Sequence, residues 1–363
     1  MATVSRPSSL AARKMRIAIS PRLRAINFFM RIRLACGNFR PIRSVTGFAR
    51  VFPMHKSALL FPMAALLGLA GCDWTDPSQW GAMQRFREPF SRTEKLAGGG
   101  RVMLETFNGP IEIRGWDREE ASVEAVKYAS RQEVLDRMEV DVVADGGSLR
   151  VRVRQPENNC ECGASLTVRV PRKVVLEEAR TSNGAIVLES LEGSGKATTS
   201  NGKIQAWDLS GEWALRTSNG SVELDKAGGS VSARTSNGRV RVGGLRGRAD
   251  VETTNGQIDA EIAEPQEGAP LVFRTSNGSI SVKLNRWARN PLRIQTSNAS
   301  ITLALPEGVN ADIRAATSNG RVTSDYEVTA RDFGKNRLEG RLGGGGERIE
   351  LTTSNGPIRI VRR

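Results

Sequence analysis

Two cysteines separated by one residue, Cys160 and Cys162, are the side chains in the body of this chain best suited to redox or metal chemistry. A metal site usually needs four ligands, and the only histidine, His55, lies far upstream near the N-terminus. The pattern therefore predicts no bound metal and no cofactor. In an oxidising compartment the pair forms a local disulfide or remains as two thiols. Because the loop that the disulfide would close is very small, we expect such a bond to be strained and labile.

Nucleophilic catalysis by a Ser-His-Asp or Cys-His arrangement needs a histidine that the chain lacks after His55. No phosphate-binding loop and no G-x-S-x-G elbow occurs. Cleavage of a glycan by two carboxylates needs no histidine, and Asp250, Glu252, Asp259 and Glu261 occupy adjacent strand positions. An ordinary solvated outer face explains these carboxylates more simply. The sequence therefore predicts no catalytic residues and no enzyme, with a glycan-cleaving enzyme as the alternative.

Cys72 offers a different chemistry, the covalent attachment of lipid. The residues Leu69-Ala70-Gly71-Cys72 follow a short apolar run and resemble the lipobox of bacterial lipoproteins, in which the peptide bond between Gly71 and Cys72 is cleaved and the thiol is acylated. The alternative is an ordinary secretory signal with a coincidental cysteine. We interpret residues 54–71 as the signal peptide and residues 1–53 as a basic leader or a mis-called start. The expected location is the bacterial cell envelope, lipid-anchored and facing the periplasm or the exterior.

The net charge of +14 would suggest a nucleic-acid partner. Residues 1–72, however, contain 12 Lys and Arg and no Asp or Glu, which leaves 41 basic and 39 acidic residues in the remainder. A basic patch that is removed with a leader does not bind phosphates, so we predict no nucleic-acid partner. Residues 72–100 lack clean periodicity, and we interpret them as a lipid-anchored tether.

The element that organises the rest of the chain is a repeated phrase, Thr-Ser-Asn-Gly. Five successive copies lie 18 residues apart, and the later spacings are 22, 21, 21 and 36, the last being twice 18. A fixed period of this length is typical of a solenoid. We interpret the asparagines as a ladder of structural turns: Asn108, Asn183, Asn201, Asn219, Asn237, Asn255, Asn277, Asn298, Asn319 and Asn355.

Within one repeat, apolar residues alternate with polar ones in two short runs, which predicts two strands and two bends per coil. We expect Asn and Gly to make the bend by tolerating positive φ. Stacked coils would place the Asn amides at the strand spacing of about 4.8 Å, where they can bond along the stack. A Thr/Asn surface that binds water, ice or glycans is the functional alternative to this structural role.

The predicted fold is all-β, a solenoid of short coils over residues 176–363, preceded by a β-rich block over residues 101–175 that includes the first rung. A capping-box string at Ser130 predicts one short helix over residues 131–138. A solenoid exposes a strand edge at each end. We expect the block to cover or extend the N-terminal end and the charged excursion Ser324 to Gly346 to cover the other.

The opening Glu105-Thr106-Phe107-Asn108-Gly109, together with the repeats that follow, resembles the bacterial putative-adhesin domain family of unknown function. The resemblance runs from about Val102 to Val361 and implies a β-solenoid displayed from the envelope, with no catalytic residues to carry over. It favours a non-catalytic binding, adhesin-like or scaffolding role, with the membrane, an envelope glycan or a surface protein as partner. A sensor or regulatory element of envelope stress is the alternative non-enzymatic role.

Overall fold

The computed structural model describes residues 86–156 and 160–363. The predicted lipidation site Cys72, the predicted cleavage site at Gly71, the segments 1–53 and 54–71 and the start of the predicted tether lie outside the described residues. In the described part, one short helix accompanies strands only, so the all-β class predicted from the repeats is confirmed. Within that part, no helix is long and apolar enough to cross a membrane.

The helix is α1 (Gln132–Asp136), and the strands are β1 (Phe86–Glu105), β2 (Ile111–Trp116), β3 (Glu120–Ala129), β4 (Glu139–Ala144), β5 (Gly146–Arg154), β6 (Cys162–Pro171), β7 (Lys173–Arg180), β8 (Ile186–Thr198), β9 (Ile204–Arg216), β10 (Val222–Arg234), β11 (Val240–Leu245), β12 (Ala249–Glu252), β13 (Ile258–Ile262), β14 (Leu271–Arg274), β15 (Ile280–Leu284), β16 (Leu292–Gln295), β17 (Ile301–Leu305), β18 (Ala311–Thr317), β19 (Val322–Ser324), β20 (Val328–Gly334), β21 (Arg337–Leu342), β22 (Arg348–Thr353) and β23 (Ile358–Arg362).

Each coil contributes one strand to each of two stacks of parallel strands. Stack A contains the strand that follows each Thr-Ser-Asn-Gly turn: β2, the first halves of β8 to β10, then β11, β13, β15 and β17. Stack B contains the strand that leads into the next turn: β7, the second halves of β8 to β10, then β12, β14 and β16. The repeat period sets this register, because equivalent residues of successive coils lie opposite one another, as Val222 does with Val240.

The core lies on the inward face of both stacks, where alternate residues are buried as the period-2 pattern predicts. In β13, for example, Ile258, Ala260 and Ile262 are buried, while Asp259 and Glu261 are partly exposed. Small and large side chains alternate along the column that contains Ala260 and Val242, which keeps the interior narrow. Phe273 in β14 is the largest fully buried side chain, with 0% exposure.

The N-terminal block continues both stacks. Residues 101–105 of β1 pair in parallel with β5 and β7, and β6 pairs in parallel with β2. Antiparallel partners extend each stack at this end, β4 beside β5 in stack B and β3 beside β6 in stack A. The block therefore extends the solenoid and shares its core.

Two predictions for this block need correction. Residues 86–95 pair antiparallel with β3, so the segment 86–100 belongs to the strand β1 and is not a tether. Most side chains of this edge strand are exposed, which removed the apolar alternation that would have marked it in the sequence. The helix is shorter than 131–138, and its N-cap residue, Arg131, makes no side-chain capping bond. Burial of Val134 and Leu135 holds the helix instead.

At the other end, the spatial order of the rungs differs from their order in the sequence. Strand β22 pairs in parallel with β16 on one side and β18 on the other. Strand β23 likewise pairs with β17 and β19. The rung that comes last in the sequence is thus inserted between two earlier rungs.

The excursion after Ser324 forms a hairpin of β20 and β21, and β21 pairs antiparallel with the outer edge of β18. The hairpin turn also accepts two bonds that a further rung would otherwise accept. Thr317 N–H donates to Asn336 O at 2.9 Å, and Val322 N–H donates to Lys335 O at 3.0 Å. The neighbouring rung provides the equivalent carbonyls throughout the interior. The hairpin therefore closes the edge of stack B and leaves the edge of stack A, at β19, only partly covered.

Candidate functional site

The Thr-Ser-Asn-Gly turns form one continuous surface, which we call the turn face. In each turn the Thr is buried, while the Ser and the Asn are exposed, as Thr217, Ser218 and Asn219 show. Two parallel rows of polar side chains therefore follow the solenoid axis. The rows are Ser182, Ser200, Ser218, Ser236, Thr254, Ser276, Ser297, Ser354 and Ser318, and the Asn residues beside them.

The Asn row is hydrogen-bonded along its length. Asn201 Nδ2 donates to Asn183 Oδ1 at 2.7 Å, and the same bond joins each later pair at 2.7 to 2.8 Å. The series follows the spatial order of the rungs, so Asn355 lies between Asn298 and Asn319. Asn108 is different, because its amide donates to Cys162 O at 3.0 Å. Nine of the ten predicted asparagines are thus brought into one ladder.

The sequence did not indicate the role of the Thr in these turns. Thr217 Oγ1 donates to Gly202 O of the preceding rung at 2.9 Å and accepts from Gly220 N at 3.2 Å. The same two bonds recur in other turns, for example at Thr199. A buried hydroxyl thus links two rungs and closes its own turn. The sequence contains one sign of this role. In the copy Thr253-Thr254-Asn255 the Ser is replaced by Thr, whereas the first Thr is kept.

The Gly of these turns has a different role from the one predicted. Among the described turns with full copies of the phrase, neither the Asn nor the Gly has positive φ. A Cβ on Gly220 would lie 1.8 Å from Gly202 O of the adjacent rung, so close approach excludes a side chain. Positive φ occurs at the opposite bend of the coil, at Gly211 (99°) and Gly229 (117°).

We expect Thr217→Val to lower the free energy of unfolding by about 1–3 kcal/mol, because the substitution keeps the shape but leaves the Gly202 carbonyl and the Gly220 amide without a buried partner. Urea denaturation followed by circular dichroism measures the change. The control is Ser218→Ala at the neighbouring exposed position. Equal stability of both variants would show that the two hydrogen bonds of the Thr217 hydroxyl do not stabilise the fold.

The four carboxylates considered for glycan cleavage do not form one site. Asp250 and Glu252 lie on β12 in stack B, and Asp259 and Glu261 lie on β13 in stack A. Each carboxylate has an arginine partner within 4 Å: Arg234 Nη2 with Asp250 at 2.5 Å, Arg234 Nε with Glu252 at 3.5 Å, Arg239 with Asp259 at 3.7 Å and Arg363 with Glu261 at 3.5 Å. The arrangement is that of ion pairs on an outer face.

Cys160 and Cys162 are joined as a disulfide, with their Cα atoms 5.2 Å apart. Cys162 is buried at the start of β6, and Cys160 is partly exposed. The Cys162 carbonyl accepts a hydrogen bond from the Asn108 side-chain amide, so the disulfide loop is connected to the first turn of the solenoid. Among the described residues, no group of three or more His, Cys, Asp or Glu side chains is placed to hold a metal ion.

A groove of about 470 Å³ crosses the outward face of stack B over several rungs. Small residues line it together with the exposed Val175: Ser194, Ala214, Ser230 and Ser232. Charged residues of both signs are interspersed with them: Glu177, Lys196, Glu212, Arg248 and Asp250. Glu212, for example, lies between Ser194 and Ser230 on neighbouring strands, whereas the small Ala214 and Ser232 lie opposite each other. Hydroxyl groups interspersed with charges of both signs suit a polar, uncharged ligand.

Tyr128 lies near the first turn, and its hydroxyl donates to Asn108 O at 3.3 Å. Burial raises the pKa of the Tyr128 phenol above its usual value of about 10. A raised pKa means that this residue contributes stability below pH 10, and that the contribution is lost as the pH rises through the folded-state pKa.

The chain contains two tyrosines, so Tyr326→Phe leaves Tyr128 as the only phenol. We expect absorbance at 295 nm to titrate in this variant with a midpoint above 10 in the native protein and near 10 in denaturant. Tyr128→Phe serves as the control for the spectral change. Equal midpoints in both states would contradict the burial of the phenol.

Comparison with known proteins identifies the family of this chain. The family model described as Toastrack DUF4097 matches residues 103–361. No curated protein matches the chain. Among solved structures, the chain is similar to a putative lipid binding protein from Parabacteroides distasonis ATCC 8503, with 14% identity, 76% of this chain and 97% of that chain covered, and a TM-score of 0.38. It is also similar to putative adhesins from Bacteroides fragilis NCTC 9343 (12%, 76% and 97%, 0.37) and Parabacteroides merdae ATCC 43184 (9%, 76% and 96%, 0.36). Because the family model spans most of the chain, including its repeats, the chain belongs to the Toastrack DUF4097 family.

Proposed function

We propose that this protein is a lipid-anchored component of the bacterial cell envelope that binds an envelope glycan and does not act as an enzyme. The observation that carries the binding role is the groove on stack B, whose lining combines serine hydroxyls with charges of both signs. Sugar hydroxyls both donate and accept hydrogen bonds, so they can pair with serine hydroxyls, carboxylates and cationic side chains at once.

The electrostatics of the groove also favour a neutral ligand over a polyanion. Three acidic residues line it, Glu177, Glu212 and Asp250, together with two basic ones, Lys196 and Arg248. Lys196 is already paired with Glu178 at 3.0 Å. A ligand with many like charges would therefore meet repulsion from one set of these residues, whereas a polymer of hydroxyl groups would not.

The four carboxylates considered for glycan cleavage are not arranged for hydrolysis. Inverting and retaining glycosidases need two carboxyl groups that face each other across the bond to be cleaved. Asp250 and Glu252 share Arg234 as an ion-pair partner on one outer face. Asp259 and Glu261 lie on the other stack.

The binding experiment fills the groove without touching the core. Ala214 is exposed and lines the groove, so Ala214→Trp should weaken binding to envelope polysaccharide fragments at least about tenfold while leaving the melting temperature unchanged. Val187→Trp, at an outward position of stack A, is the matched control and should bind like the unaltered protein. No binding to any fragment by the unaltered protein, or equal binding by both variants, would refute the role of the groove.

The anchor is tested separately. The intact mass of membrane-extracted protein should correspond to a chain that begins at an acylated Cys72, and Cys72→Ser should release the protein from the membrane. A mass that retains residues 1–71 would reject the anchor and would restore the basic leader to the folded protein.

A further inference from the structure

The C-terminal end of the solenoid contains a second opening, a cleft of about 900 Å³ between β19 and the hairpin of β20 and β21, which we call the end cleft. Its floor is the end of the hydrophobic core, where Val322 and Leu338 are 5% and 2% exposed. Its walls include Tyr326, Val328 and Phe333. The cleft arises because the hairpin covers the last strand of stack B but leaves β19 in stack A largely uncovered.

The wall of the end cleft contains an aromatic residue that is not part of the buried core. Phe333 is 73% exposed, the highest value among the large hydrophobic residues that the structure describes as exposed. It faces the cleft because the register of β20 against β21 shifts between Ala330 and Asp332. One extra residue in a strand reverses the alternation of side chains beyond it. Val328, Ala330 and Phe333 therefore line the same cleft, whereas regular alternation would turn Phe333 away.

Two cations lie at the rim, Arg321 and Lys335. Their backbone carbonyls are held by hydrogen bonds, from Ile358 N–H to Arg321 O at 2.9 Å and from Val322 N–H to Lys335 O at 3.0 Å. Neither side chain has a carboxylate within 4 Å among the residues that the structure describes. These bonds hold the backbone of both residues beside the apolar cleft, and both positive charges remain available to a ligand.

We propose that the end cleft binds a long-chain fatty acid, with the acyl chain against Val328, Ala330 and Phe333 and the carboxylate between Arg321 and Lys335. The volume suits a ligand of this size, since small-molecule sites enclose about 300–1,000 Å³. An apolar wall with two cations at its edge complements an anionic amphiphile in both of its parts.

An added peptide strand fits the end cleft less well. Strand β19 has three residues, so it offers few backbone groups, and the Val322 N–H is already bonded to the hairpin. Strand addition depends on a run of such groups along an open edge. The inference concerns residues separate from the groove on stack B and does not depend on the binding of a glycan there.

The test uses the full chain carrying Cys72→Ser, which removes the acyl acceptor and keeps an attached lipid out of the measurement. The fluorescent fatty acid cis-parinaric acid should bind with one site per chain, and palmitate should displace it. Ala330→Trp, which fills the wall of the end cleft, should abolish binding. Thr329→Trp, at the neighbouring exposed position of β20 outside the cleft lining, should have no effect.

A second comparison separates the cations from the apolar wall. The double variant Arg321→Gln and Lys335→Gln should weaken palmitate binding at least about tenfold and change the binding of uncharged hexadecanol by less than about threefold. Circular dichroism and the melting temperature confirm that each variant is folded. The proposal is overturned if the parent protein shows no saturable binding, if Ala330→Trp binds normally, if both ligands weaken equally in the double variant, or if only extended peptides bind.

Discussion

Replacing Gly229 with alanine should lower the free energy of unfolding by about 3 kcal/mol or more. Gly229 has a φ of 117°, and a Cβ at this position would lie 2.2 Å from Gly211 O in the adjacent rung. Holding a residue with a side chain in such a conformation costs of the order of 1–3 kcal/mol, and relieving the overlap with a backbone carbonyl costs a similar amount. The rungs would have to separate locally, because the carbonyl cannot rotate away as a flexible side chain would.

The neighbouring residue provides the control. A Cβ on Gly228 would find its nearest atom at 3.9 Å, and its φ is not positive. Gly228→Ala should therefore leave stability unchanged or raise it by up to about 1 kcal/mol, through the loss of freedom in the unfolded chain. Urea denaturation of both variants measures the difference. A Gly229→Ala variant as stable as Gly228→Ala would show that the bend has room for a side chain.

Replacing Phe273 with alanine should cost about 3–5 kcal/mol of stability, the range for removing a buried aromatic ring. Phe273 is 0% exposed, and it stacks between Val251 of β12 and Ile294 of β16. The narrow interior cannot collapse readily around the lost ring, because its neighbours are held in strands of fixed register. Phe333→Ala, at a residue 73% exposed, should change stability by less than about 0.5 kcal/mol.

Hydrogen exchange locates the effect of Phe273→Ala better than a single denaturation curve. In a solenoid each rung contacts mainly its neighbours, and long repeat arrays can lose two-state unfolding. We expect faster exchange in β12, β14 and β16 and little change in β2. Uniform acceleration over the whole chain would indicate one cooperative unit and would contradict this local picture.

The parallel stacks could be predicted because one period governs both pattern and register. Residues such as Ile204, Val222 and Val240 recur at the same position in each repeat, and the structure places them opposite one another in buried columns. A ladder of asparagines follows from the same period. The sequence carries this information many times over, so a single irregular repeat does not obscure it.

The position of the last rung could not be predicted in this way. Every turn of the Asn ladder presents the same pattern of donors and acceptors to its neighbours, so Asn355 can stack on Asn298 as well as on Asn319. Nothing in one turn identifies its partner in the sequence. The connection through the hairpin decides the order, because β21 pairs with the outer edge of β18 and returns the chain to its inner edge.

The candidate sites were missed for a related reason. The groove depends on Ala214 lying opposite Ser232 of the next rung, a relation that exists only once the rungs are stacked. The end cleft depends on one extra residue in β20, which the sequence of that exposed strand does not mark. Both features arise from departures from the repeat, and the repeat period does not mark such departures.

The insertion of β22 and β23 has a consequence for folding during synthesis. A solenoid whose rungs follow the sequence can add each rung as the chain emerges. Here β18 and β19 emerge before the rung on which they stack, so they must wait for residues 348–362. Until then β16 and β17 present open strand edges, which are sites of aggregation and proteolysis. The C-terminal end can therefore fold only after residues 348–362 have been synthesised. A chain that stopped earlier would expose unpaired strand edges to proteases.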